Sequence, residues 1–153
     1  MTQEPAFEGT LHWAGQPEDQ PFDYDHYNRA TTLEFEGGAR IEASSPSVFR
    51  GDDTRANPET LMLASLMQCH FLTFMAVAAK SRMPVAEYSD RASGQLGMRD
   101  GKMRYVEVVL RPRVRFADPA HAAKLAALHE KAHAHCFMSN SVNFPIRVEA
   151  DLG

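Results

Sequence analysis

Cysteine is scarce here: the chain of 153 residues carries only Cys69 and Cys136. Positive charge is not in excess either, and a net charge of −4 supplies neither a basic footprint for nucleic acid nor a polybasic patch for a membrane. The opening MTQEPAFEGT lacks the basic-then-apolar pattern of a signal peptide. No apolar run is long and unbroken. Leu61 to Ala79 comes nearest, but Ser65, Gln68, His70 and Thr73 interrupt it, so the reading is a core helix rather than a membrane span. Repeats, low-complexity tracts and long linkers are lacking too, which points to a single domain over 1–153. These absences together predict a cytoplasmic chain. Disulfides there are seldom static staples. Two thiols then suggest chemistry more than architecture, with two unrelated buried thiols as the plain alternative.

What is present is ordinary globular material, 44% apolar and 24% charged, enough for a sizeable core. Phe7 to Trp13 alternates as a strand does. Thr31 to Glu36 and Arg40 to Ser44 flank Gly37-Gly38, a hairpin signal. Asn57 can cap a helix, Pro58 suits its first position, and Glu59 complements its N-terminus. Apolar residues cover nearly the whole circumference from Leu61 to Ala79, which predicts a central helix wrapped on several sides, and Pro84 marks its end. Two long strands are expected over 86–98 and 102–116, joined by a tight Arg99-Asp100-Gly101 turn. Asp118-Pro119 opens a second, amphipathic helix that includes Ala122, Leu125, Leu128, His129 and Ala132. A last strand runs from Ile146 to Leu152. The order βββ-α-ββ-α-β, with antiparallel hairpins around a long central helix, is an α+β fold.

Three groups could carry chemistry. Cys69 shares a helix face with Met62, Ser65, Leu66, Leu72 and Thr73. Burial there would silence a thiol, so reactivity needs a nearby cation. Met62, Leu66 and Leu72 read equally as core or as the wall of a pocket. His70 points about 100° away from Cys69 around the helix and reads as a packing or interface residue. Cys136 opens CFMSNSVNFPI just after the second helix, and spacing alone does not place it near Cys69. His129-Glu130-Lys131-Ala132-His133 matches H-E-x-x-H, a helical Zn motif of hydrolases, although a solvated helix face yields the same pattern. Arg50 and Arg55 precede the first helix in SVFRGDDTRANPE and are equally eligible cations by composition.

Taken together, these residues resemble the OsmC/Ohr family of thiol-dependent peroxidases. NPETLMLASLMQCH is similar to the family block N-P-E-x-L-x-x-A-x-x-x-x-C, with Cys69 at the reactive position. CFMSNSV is similar to its C-P-x-S-N/Q block, with Cys136 at the second-thiol position. Arg50 stands ahead of N-P-E as the active-site Arg does in the OsmC branch, and LHWAG and the element order also fit. The resemblance implies an intertwined homodimer with active sites at the subunit interface. It further implies reduction of organic hydroperoxides, and possibly hydrogen peroxide, through a Cys69 sulfenate and a Cys69–Cys136 disulfide. Arg50 would stabilise the thiolate and Glu59 would hold Arg50. Met62, Leu66, Leu72 and Phe137 would line the substrate pocket. No metal and no organic cofactor is needed, and an external dithiol, a lipoyl protein or a thioredoxin-like one, would reset the enzyme. Departures are Phe137 in place of the usual Pro and His70 where other branches carry Phe. Two other functions remain on the page: a non-catalytic dimer of this fold that binds an apolar ligand, and a Zn-dependent hydrolase using His129, Glu130 and His133.

Overall fold

The computed structural model describes residues 4–151 and divides into two compact units, Met1–Leu61 and Met62–Gly153. The first unit is an antiparallel sheet of β1 (Gly9–Trp13), β2 (Thr31–Phe35) and β3 (Arg40–Ala43). Leu33 sits opposite both Leu11 and Ile41, so the three strands share one aliphatic row. The diglycine turn forms as its residues suggest: Gly37 and Gly38 take φ of 83° and 87°, which other residues reach only under strain. Among the described residues of this unit only Ala43 and Ser44 are buried, while Leu11 and Trp13 stay 60% and 46% exposed.

Helix α1 (Pro58–Lys80) starts where the sequence puts it. The Asn57 side chain accepts the Thr60 N–H at 2.8 Å, and the Thr60 hydroxyl accepts the Asn57 N–H at 3.0 Å. This reciprocal cap satisfies two donors that would otherwise be orphaned. By length and composition α1 could cross a bilayer. It is not wrapped on several sides within one chain. Leu66, His70, Phe74, Val77 and Ala78 are buried, a single stripe at helical spacing, while Met62 and Leu72 remain exposed. Within the second unit that stripe is the face covered by the two apolar clusters.

The second unit continues with β4 (Val85–Asp90), β5 (Ser93–Arg99), β6 (Lys102–Leu110), β7 (Pro112–Phe116), helix α2 (Leu125–His135) and β8 (Ile146–Val148). Each of the two expected long strands is broken once. The breaks face each other: the Asp90 carboxylate accepts the Arg111 N–H at 2.8 Å, and the Arg91 N–H reaches the Arg111 carbonyl at 3.4 Å. The hairpin therefore feeds two sheets, β4–β7 and β5–β6–β8. Its tip is the expected tight turn, with Asp100 and Gly101 both at positive φ, 51° and 72°. Strand β8 is shorter than expected and runs parallel to β6, Ile146 opposite Val108, so the sheets are not wholly antiparallel. Leu152, the expected end of that strand, lies outside the described residues. A 3-10 segment over Pro119–Lys124, capped by Asp118, delays α2 to Leu125.

Two apolar clusters form on the buried stripe of α1. Phe74, Val77 and Ala78 meet Phe116, Leu125, Leu128 and Ala132. Leu66 meets Val108 and Leu110. Leu66 is thus core and not pocket wall, a correction to the sequence reading.

Candidate active site

Cys69 occupies α1 and is half-buried, whereas Cys136 directly follows α2 and has no exposed surface. The packing of α2 on the Phe74 cluster brings the two together. Cys69 stands near enough to the Cys136 thiol to act on it electrostatically. Both are free thiols. Burial pushes the Cys136 thiol above its ordinary value, the Ser139 hydroxyl and backbone N–H pull it back, and Cys69 raises it further. A thiol held protonated in this way is a poor first nucleophile and a suitable second one.

A cleft of about 480 Å³ opens beside Cys69. Helix α1 lines it with Cys69, Leu72, Thr73, Ala76, Val77 and Lys80, one stripe spaced three, four, seven, eight and eleven residues from the cysteine. Lys131, His135 and Phe137 complete the lining. The Thr73 hydroxyl donates to the Cys69 carbonyl at 2.8 Å. Of the pocket residues expected from the sequence, Leu72 and Phe137 are here. Met62 is exposed and Leu66 is core, and neither lines the cleft. The sequence reading passed over Ala76, Val77, Lys80, Lys131 and His135. The first three were legible from the helical spacing, while the other two are set by how α2 docks.

Arg50 and Glu59 belong to the first unit. Arg50 ends a short 3-10 turn with φ of 67°, a left-handed conformation uncommon for a residue with a side chain, and its guanidinium pairs with Asp25 at 3.1 Å. Arg55 is bound to Glu42 at 2.8 Å and to Asp52 at 3.7 Å. Of the two eligible cations, Arg55 is the more fully engaged. Glu59 is half-buried in the first turn of α1.

The H-E-x-x-H motif is used otherwise than a Zn site requires. His129 is 3% exposed and its Nδ1 lies 3.0 Å from Nε2 of His70, itself fully buried. The two rings are 9° from parallel, and Phe74 stacks on His129 at 4.4 Å. Burial, aided by His133 for His70 and by His70 for His129, lowers both imidazoles to about 4, so both are neutral at neutral pH. Among the described residues no group of three or more His, Cys, Asp or Glu is arranged to hold a metal.

Comparison with known proteins follows the same lines. A family model described as OsmC-like protein matches residues 51–151. The solved structure of an OsmC-like protein of unknown function from Vibrio cholerae is 34% identical, with TM-score 0.89, covering 97% of this chain and all of that one. An organic hydroperoxide resistance protein from Elizabethkingia anophelis is 22% identical with TM-score 0.71, covering 98% and 96%. The organic hydroperoxide resistance protein OhrB of Bacillus subtilis is 18% identical with TM-score 0.67, covering 95% and 98%. These last two share the fold. No curated protein matches the chain by sequence.

Proposed function

The chain belongs to the OsmC-like family, and from that premise we propose that it is a thiol-dependent peroxidase that reduces organic hydroperoxides. The observation that carries this reading is the meeting of two free thiols beside an apolar cleft. The Cys69 thiolate attacks one peroxide oxygen. The O–O bond breaks, the other oxygen leaves as the alcohol after taking a proton, and Cys69 becomes a sulfenic acid. The Cys136 sulfur then displaces hydroxide from that sulfenic acid, forming the Cys69–Cys136 disulfide and water. An external dithiol restores both thiols by exchange and is itself oxidised. Such a cycle needs a reducing compartment such as the cytoplasm, and a lipoyl protein or a thioredoxin-like protein is the reductant by family resemblance.

Arg50 stabilises the thiolate and Glu59 orients Arg50. Glu59 and Cys69 are separated on α1 by ten residues, a rise of about 15 Å, too far for one chain's Glu59 to serve its own cysteine directly. A homodimer in which Arg50 and Glu59 serve the partner's thiol removes that difficulty. The cleft walls accept an alkyl chain, and Lys80 and Lys131 at its rim favour a substrate with an anionic end.

The test is a free-thiol count and intact mass of the reduced protein after one equivalent of an organic hydroperoxide. Loss of both thiols with a mass decrease of about two hydrogens supports the cycle. Thiols that survive excess peroxide overturn it. The same cleft then favours the second reading, non-catalytic binding of an apolar ligand.

A further inference from the structure

The histidines that the peroxidase cycle leaves unused lie between its two thiols in the sequence. His70 directly follows Cys69 on α1, and His129 precedes Cys136 by seven residues, about two turns of α2. The carbonyl of His133, between them, accepts the Cys136 N–H at 3.3 Å. The one side-chain hydrogen bond joining the buried faces of these helices, among the described residues, is His70 Nε2 to His129 Nδ1. Two apolar side chains of similar size would pack here with less difficulty. The imidazole pair leaves His70 Nδ1 and His129 Nε2 buried without a partner among the described residues. What the pair adds is register. An apolar contact can slide, whereas a short N–H···N bond between near-parallel rings, with Phe74 stacked behind one of them, has a single productive geometry.

We propose that His70 and His129 are positioning residues for the two thiols: their hydrogen bond fixes α1 against α2 and so raises the effective concentration of Cys136 at Cys69. This rests on the reading of these cysteines as a redox pair. The groups facing the histidines are few. His133 acts on His70 from α2, and from β4 the Tyr88 ring packs on Phe74, its phenol held protonated by burial and by Asp90. None of them offers the pair a counter-charge, so it works as a neutral clamp.

The experiment is equilibration of the reduced protein in glutathione redox buffers, with the Cys69–Cys136 disulfide read by mass, for wild type, His70→Phe, His129→Leu, the double variant and His129→Gln. A melting midpoint accompanies each. The clamp predicts an effective thiol concentration at least about tenfold lower in both single variants and in the double variant. The double variant regains much of the melting midpoint, because it carries no orphaned ring nitrogen. His129→Gln, which can still hydrogen-bond His70, stays within about threefold of wild type. A double variant whose effective concentration lies within about twofold of wild type overturns the proposal, since packing alone then sets the register. A wild-type protein that forms no such disulfide in any buffer overturns it together with the peroxidase cycle. A disulfide that forms in glutathione but not with peroxide sinks the peroxidase reading alone and leaves the clamp to be judged by the variants.

Discussion

Cys136 is a buried thiol, and in the proposed cycle that burial divides the labour between the two sulfurs. Cys136→Ser should stop the cycle halfway. One equivalent of hydroperoxide leaves a sulfenic acid on Cys69 that a dimedone-type reagent traps, and excess carries it to sulfinic acid, an added mass of two oxygens. Cys69→Ser should show neither. Lys80→Glu with Lys131→Glu should raise KM about tenfold for an alkyl hydroperoxide ending in a carboxylate and leave an uncharged one nearly unchanged; steady-state kinetics with the two substrates distinguish them. The buried histidines set a pH dependence whose sign is fixed. Their folded-state values are lowered from 6.5 to about 4, so between these limits the unfolded chain binds more protons. Stability is full above about pH 6.5 and is lost as pH falls toward 4, by up to about 3 kcal/mol for each imidazole. Denaturant titrations across this window should show that decline in wild type and a flatter curve in the His70→Phe, His129→Leu double variant.

Elements divide by whether their causes are local. The α1 cap, the diglycine turn and the Asp100-Gly101 turn are set by adjacent residues and were legible. Asn57→Ala should cost about 1 kcal/mol in denaturant unfolding, because it removes the side-chain acceptor for the Thr60 N–H. The strand breaks at Arg91 and Arg111 were not legible, since they depend on residues 21 apart in sequence meeting across a hairpin. Nor was the parallel docking of β8, for an alternating tripeptide carries no direction. The face of α1 was read poorly for a related reason: a helix apolar nearly all round does not announce which stripe its own chain will cover. Leu66 consequently went to the wrong role. The approach of Cys136 to Cys69 and the His70–His129 bond arise only from packing, and the resemblance, not the spacing, pointed to the first of them.

The whole molecule leaves much apolar surface uncovered in a single chain, including Leu11 and Trp13 on the first unit and Leu72 on α1. Exposure of this kind is expected of a protomer that buries more on pairing. With a homodimer, the thermal midpoint should rise with protein concentration, and sedimentation should give twice the chain mass; a midpoint independent of concentration and a monomer mass would exclude it. Heterodimers of a Cys69→Ser chain with an Arg50→Ala chain should regain about one working site if Arg50 serves the partner's thiol, and none if it serves its own. The parallel seat of β8 beside β6 also sets the order in which the chain can mature. The β5–β6–β8 sheet cannot close until residues 146–148 have left the ribosome. At ordinary elongation rates that is roughly 4 to 16 seconds after Cys69 has been made. Cys136 is itself made only shortly before β8, so through most of that interval Cys69 stands without the thiol it meets in the finished fold, and a translation product stalled before α2 carries a lone thiol open to mispairing with other nascent chains.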